Sequence, residues 1–427
     1  NEPYSIKVTN GSGLSATLAD AINQDQVPVF TTAAGNLATA FNNVAYSANA
    51  GATDADGDTV THSITSGSLP SGISINSTNG MITGTPSGSS LGNYSITVQA
   101  ATSSATVTRN FVVPLSALPT GGNITNTGGY RYHAFTSSGT FTVSTGFTPS
   151  IEIFMMGAGG GGGSWVPGGG GAGGCVNIDS PASFSTSAQA YTVTIGGGGS
   201  GAVNPGSMAP PFGGQSITGG DTSLRDASGN YLLTAIGGGR GGNYNGSGSP
   251  AHGQGQNGGC GGGRGKADYA DGTGVQTTAT TSPLGNAVSA NSRTYGIGYN
   301  GGSSSTNEGY GQEGGGGLNN TERSSGSGKN GIEFSWVSTL NIGTNSSNSA
   351  SSGGYFGGGG GAGNHSGGTV GSGGVGGGRQ GYSNTGSKAP SGFSNTGGGG
   401  GGGGRPGGSY SEGGNGGSGV VILRYTV

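Results

Sequence analysis

The residues with the chemistry to act on another molecule are few and scattered. His62 and His133 fall in alternating apolar runs, while His252 and His365 sit in glycine-rich ones. None shows the short fixed offsets of a metalloprotease helix or a nucleophile elbow. Glu308 and Glu313 are paired acids, but a glycosidase must hold its two carboxyl groups at a set separation. A glycine loop supplies no scaffold for that, so both are expected in solvated chain. Asp54, Asp56 and Asp58 in TDADGDT alternate like the front half of a calcium loop, without its distal bidentate glutamate. Asp and Gly also make ordinary turns, so calcium and a plain turn both stay open. Cys175 and Cys260, each set in glycine, are a disulfide candidate in an oxidising medium or a pair of thiols. Two cysteines fall short of the four clustered ligands that zinc asks for. These residues predict no enzyme.

What would have to position them is mostly glycine, at 106 of 427 residues. The longest stretch, residues 157–174, reads GAGGGGGSWVPGGGGAGG, with echoes at 196–199, 237–242, 357–363 and 397–404. Such runs can only build a surface from backbone. Glycine loses more freedom on folding than any other residue and returns no apolar area. Composition alone therefore points toward disorder, although only 7% of residues are charged, against the high net charge usual in disordered chains. An ordered run must find partners for its N–H and C=O groups. Polyproline-II geometry makes no internal hydrogen bonds, so glycine strands in that form bond only to each other. Without Cβ atoms they approach closely and add Cα–H···O contacts. The run 397–404 would extend roughly 25 Å at about 3.1 Å per residue. The expectation is a stacked polyglycine-II bundle; the alternative is irregular loops over a β-sandwich.

The rest of the chain is read around that bundle as all-β. A net charge of −3 lacks the basic patch that nucleic acid requires, and no stretch approaches the ~20 apolar residues of a membrane span. Opening at Asn1 suggests a processed product or the visible part of a longer polypeptide. Residues 1–27 are expected to be an attachment or interchain segment: YSIKV is a short strand, and LADAINQDQ is either helical turns or an interchain strand. Residues 28–118 carry short alternating runs, as at Val60, His62 and Ile64, at Tyr94, Ile96 and Val98, and at Val107, Arg109 and Phe111. With Asn79-Gly80 as a hairpin signal, they predict an Ig-like β-sandwich. The segments SGSLPSGISINSTNGMITGTP and GNYSITVQA are similar to the Ig-fold repeat of cadherin-like and haemolysin-like surface proteins, a module that usually acts as a spacer.

Residues 119–129 have the composition of a linker. From 130 to 427 a few apolar segments, YRYHAF, SIEIFMM, AYTVTI, LLTAI and VVILRYTV, are expected to form a sandwich from which the glycine excursions project. Together with GGDTS and the closing GGNGGSGVVILRY, these segments resemble the glycine-rich domain of tailed-bacteriophage structural proteins, notably marine cyanobacterial ones. The glycine runs also resemble the distal tail-fibre adhesins of T-even-type phages. That resemblance implies layered polyglycine-II helices carrying loops that touch the host, on an extracellular virion protein.

If the runs are struts, the intervals between them are displayed. They hold aromatic residues among Ser, Asn and Gly, a composition shared with antibody paratopes. Tyr295, Tyr299, Tyr310, Tyr382 and Phe393, in the stretches 295–312 and 379–393, are the receptor-binding candidates; packing over the glycine surface is the alternative for each. The partners expected are a host cell-surface glycan or outer-membrane protein and other virion proteins. A homo-oligomer is also expected, with a trimer left open. A purely architectural virion role and a bacterial secreted adhesin are the alternatives.

Overall fold

The computed structural model describes residues 4–22, 25–147, 150–179, 183–203, 214–243, 253–266, 270–275, 298–301, 313–319, 326–349, 353–364, 369–383, 387–405 and 411–427. It divides into two compact units, Asn1–Leu118 with Ser144–Phe147, and Pro119–Val143 with Thr148–Val427. Named helix among the described residues is a single turn, Ser335–Ser338.

In the first unit β1 (Tyr4–Thr9) and β2 (Ser15–Ile22) form an antiparallel hairpin. Asn10 closes it, its Oδ1 accepting from the N–H groups of Ser12 and Leu14 at 3.1 and 3.0 Å. Of the two readings open for LADAINQDQ, strand is the one observed as far as Ile22. Then follow β3 (Val29–Phe30), β4 (Gly35–Asn36), β5 (Ala40–Phe41), β6 (Tyr46–Asn49), β7 (Ala52–Thr53), β8 (Thr61–Gly67), β9 (Ile73–Ile75), β10 (Met81–Gly84), β11 (Gly92–Ala101) and β12 (Thr106–Ser116). One sheet runs β4-β12-β11-β8 with β5 also on β12; a second runs β6-β10-β9; β3 pairs with β7. Alternation puts Ile96 and Val98 of β11, Phe111 and Val113 of β12 and Ile82 of β10 inside, each at most 3% exposed. Each such side chain contributes about 1.5–3 kcal/mol by leaving water. The Asn79-Gly80 turn enters β10 with Gly80 at φ +69°, where a Cβ would strike the Gly51 backbone.

The second unit contains β13 (Asn123–Thr127), β14 (Tyr130–Phe135), β15 (Gly139–Thr142), β16 (Glu152–Met156), β17 (Cys175–Ile178), β18 (Ala190–Thr194), β19 (Thr222–Arg225), β20 (Tyr231–Ala235), β21 (Ile332–Glu333), β22 (Tyr355–Phe356) and β23 (Val420–Thr426). The sheets are β13-β14-β23-β16-β17, β15-β18-β19-β20 and β21-β22. The expected linker at 119–129 is corrected here: Asn123–Thr127 is an edge strand folded back on β14 through Gly128 and Gly129 at φ +59° and +77°. All five of its residues are exposed, so it carries no apolar alternation to read. The last strand, β23, lies centrally between β14 and β16.

Arg424 of β23 ties this sheet to the segment around Ser335–Ser338. Its Nε and Nη2 both donate to Glu152 Oε2, at 2.9 and 2.6 Å, and its guanidinium lies 4.3 Å from the Tyr130 ring centroid and 4.4 Å from that of Trp336. An ammonium has neither the fork nor the flat face for these contacts. Arg424→Lys is therefore expected to lose about 1–2 kcal/mol, read as a lower denaturant midpoint at unchanged slope.

The glycine runs continue the strands. Run 157–163 leaves β16, 168–174 enters β17, 196–203 leaves β18, 214–220 approaches β19, 236–243 leaves β20 and 411–419 enters β23. Their hydrogen bonds repeat every three residues. In run 157–163 the N–H groups of Gly157, Gly160 and Gly163 donate to Gly174, Gly171 and Gly168. Those of Ala158 and Gly161 donate to Gly220 and Ile217, and those of Gly159 and Gly162 to Gly417 and Gly414, all at 2.8–3.1 Å. The carbonyls rotate in the same way: Ala158 and Gly161 accept from Gly238 and Gly241, Gly159 and Gly162 from Gly199 and Ala202, and Gly160 and Gly163 from Gly400 and Gly403. One run thus bonds to six neighbours. Run 168–174 does the same with runs 157–163, 236–242, 260–263, 313–316, 357–360 and 397–400.

Candidate functional site

Because six of these runs are rooted in strands, the array has a strand end and a far end. Gly157 bonds Gly174 at the strand end, and Gly163 bonds Gly168 and Gly403 at the far end. Ser164–Pro167 is the turn there, joining runs 157–163 and 168–174. Ser164 N–H donates to Asn243 Oδ1 at 3.1 Å, Arg405 N–H to the Asn364 carbonyl at 2.8 Å, and Tyr382 N–H to the Gly402 carbonyl at 2.9 Å. Trp165 and Arg405 are partly exposed there, with the guanidinium 5.5 Å from the indole centroid.

The receptor-binding candidates are not brought to one place. Tyr382 is at this far end. The Tyr299 carbonyl accepts from Gly261, whose own carbonyl accepts from Gly316 beside Ala172, so Tyr299 lies toward the strand end. Phe393 bonds Gly377 and stacks under Arg379 at 4.4 Å, also toward the strand end. Tyr295 and Tyr310 lie outside the described residues, as do His252, His365 and Glu308. Phe356, the aromatic residue that precedes the run 357–363, is fully buried against Phe154.

The remaining chemical groups prove mostly structural. His62 is 3% exposed, its Nε2 accepting from the Ala52 N–H at 2.9 Å. His133 is fully buried, its Nδ1 donating to the Gly121 carbonyl at 2.8 Å and its Nε2 3.2 Å from the Tyr425 hydroxyl. Glu313, expected in solvated loop, is corrected to 2% exposed: it starts the run 313–317 and pairs with Arg264 at 3.1 Å. Cys175 and Cys260 stand as free thiols, both buried. The Cys260 N–H bonds the Ala172 carbonyl and its Sγ faces the Gly173 carbonyl at 3.7 Å. Burial pushes the Cys260 thiol up to about 12. Burial, then the neighbouring Cys260 and Asp179, pushes Cys175 well above the ordinary thiol range. The carboxyl of Asp58 is raised by loss of solvent and by the charges of Asp25, Asp54 and Asp56. Among the described residues no three His, Cys, Asp or Glu side chains are grouped to hold a metal ion, and no helix is long and apolar enough to cross a membrane.

Comparison with known proteins follows this division. Residues 27–116 match the family described as "Putative Ig domain". No curated protein matches the chain. Solved structures with local similarity include an endo-fucoidan hydrolase of glycoside hydrolase family 107, at 13% identity over 55% of this chain and 33% of that one, TM-score 0.20. The protocadherin GammaB4 extracellular domain is 21% identical over 29% and 24%, TM-score 0.20, and the human desmocollin-1 ectodomain 12% over 53% and 39%, TM-score 0.19. The chain spans well under half of each, and at these scores none carries an argument. The glycine-rich domain family matches residues 135–426, which hold β15 to β23 and the run array; the chain belongs to the glycine-rich domain family.

Proposed function

We propose that this chain is a virion fibre or adhesin protein of a tailed bacteriophage, in which a polyglycine-II bundle holds loops out to touch the host surface. The observation that carries the reading is the three-residue rotation of hydrogen bonds from one run to six neighbours. A helix with three residues per turn and no internal bonds makes that pattern. At about 3.1 Å per residue the seven residues 157–163 are a strut of roughly 22 Å. Every descending and ascending pair must turn at the far end, so what the turns carry is presented together. The host-side partner is a cell-surface glycan or outer-membrane protein. Other virion proteins, and further copies of the chain, are the assembly partners. The Ig-like unit serves as spacer, and the protein resides on the extracellular particle.

The architectural reading has its own support: Phe393 is stacked under Arg379 and Phe356 is core, as expected of aromatics that cover glycine surface. Electron microscopy of particles labelled with antibody to residues 130–427, alongside binding of the purified chain to host cells, separates the two. Label at fibre tips with cells decorated is expected; label midway along the particle with bare cells makes the protein architectural.

A further inference from the structure

We infer that β13 is the edge through which two copies of this chain pair, strand against antiparallel strand; the inference rests on the reading of further copies as assembly partners and names their surface. β13 closes one side of the sheet β13-β14-β23-β16-β17. Its ladder to β14 is unbroken from Asn123↔Ala134 to Thr127↔Tyr130. A two-residue turn at Gly128 and Gly129, both at positive φ, makes the flanking Thr127 and Tyr130 a hydrogen-bonded pair. Such pairs then alternate along the ladder, to Thr125 with Tyr132 and Asn123 with Ala134. The β23 side of β14 agrees. There the Val427 N–H donates to the Gly129 carbonyl, which turns Arg131 and His133 toward β23 and leaves Tyr130, Tyr132 and Ala134 to β13. The N–H and C=O groups of Ile124 and Asn126 therefore point away from the sheet, and among the described residues they meet no partner.

Two other edges of this unit are covered. β17, on the opposite side of the same sheet, is buried at all four positions, and β15 is met by Thr120, which exchanges both hydrogen bonds with Thr142. β13 is exposed at all five. Open edges are ordinarily blunted by a charge, a proline or a bulge, and NITNT has none of the three. The strand fits a second copy of itself. In an antiparallel pairing centred on Thr125, Ile124 lies opposite Asn126 of the second copy and Asn126 opposite Ile124. Every outward group of both strands is then used, and the contact closes on itself about a two-fold axis. Thr125 meets Thr125 across that axis, a favourable cross-strand pair, and no charge faces a like charge.

A single short edge is smaller than the roughly 1,000 Å² of a tight interface, so the pairing is read at high concentration. Sedimentation velocity of the full chain from about 5 to 500 µM is expected to show a monomer–dimer equilibrium. Ile124→Pro removes an outward N–H and no ladder bond, so its Tm is expected to stay within about 2 °C while the dimer weakens at least tenfold. Thr125→Cys places two thiols at a non-hydrogen-bonded pair with Cα atoms about 4.5 Å apart, within reach of a disulfide. With diamide it is expected to give a covalent dimer at least tenfold faster than Asn123→Cys, a position also exposed but set opposite Thr127 of the second copy. Cys175 and Cys260, both buried, do not compete. A dimer unweakened by Ile124→Pro, or equal cross-linking of the two cysteine variants, would overturn the edge and leave self-association standing. A monomer at every concentration would overturn both, without touching the adhesin reading, which cell binding decides.

Discussion

Gly160→Ala and Gly170→Ala are each expected to destabilise the glycine-rich unit by about 3 kcal/mol or more, beyond the usual 1–3 kcal/mol of overpacking. A Cβ on Gly160 would press on the Gly239 carbonyl, and one on Gly170 on the Gly160 carbonyl, both inside 3.0 Å. Neither neighbour can withdraw. Gly239 accepts from Gly171 and donates to Cys260, and Gly160 accepts from Gly400 and donates to Gly171, so yielding would break bonds in further runs. Gly197 is the control. It lies in a run of the same kind, is exposed, has no positive φ and finds nothing within 4 Å of an added Cβ. Gly197→Ala should leave stability unchanged or raise it by up to about 1 kcal/mol, through the narrowed unfolded ensemble. Denaturant midpoints of the three variants check the split in sign; equal effects would mean that the close approach between runs is not what selects glycine.

The second large effect is acid sensitivity through His133. Burial is the main cause that lowers its imidazole from 6.5 to about 4, with Arg131 adding to it and the bond to Gly121 opposing. A pKa lower in the folded state means that the unfolded chain takes up the proton first. The stability that His133 contributes is thus fully present above about 6.5 and is lost as pH falls toward 4. The loss integrates to about 3 kcal/mol. His133→Gln keeps a polar side chain without a titrating ring, and should flatten the stability profile of the glycine-rich unit between pH 6.5 and 4 while lowering its plateau. A wild-type profile as flat as the variant's would show that the ring titrates normally.

The Ig-like sandwich was legible because its alternation is written in side chains: Ile96 and Val98 face in, and their neighbours face out. Strands β17 and β19 were not, because each is only four residues long and mixes apolar with polar types, CVNI and TSLR, although nearly every position is buried. The glycine runs announced that only backbone was on offer. Which run lies beside which was illegible, since neighbours 240 residues apart such as Gly160 and Gly400 are matched by hydrogen-bond register and not by any residue type. For the candidate site, aromatic composition marked Tyr299, Tyr382 and Phe393 alike, and only the direction of each run separates them.

The central claim is that the runs are held by hydrogen bonds between one another, buried from water. Amide hydrogen exchange of the full chain, resolved to the peptides covering 157–163 and 168–174, tests it most directly. The array predicts that these amides exchange as slowly as those of the central strand β23, because each opens only when its neighbours separate. Exchange within seconds, as in a free glycine linker, would contradict it.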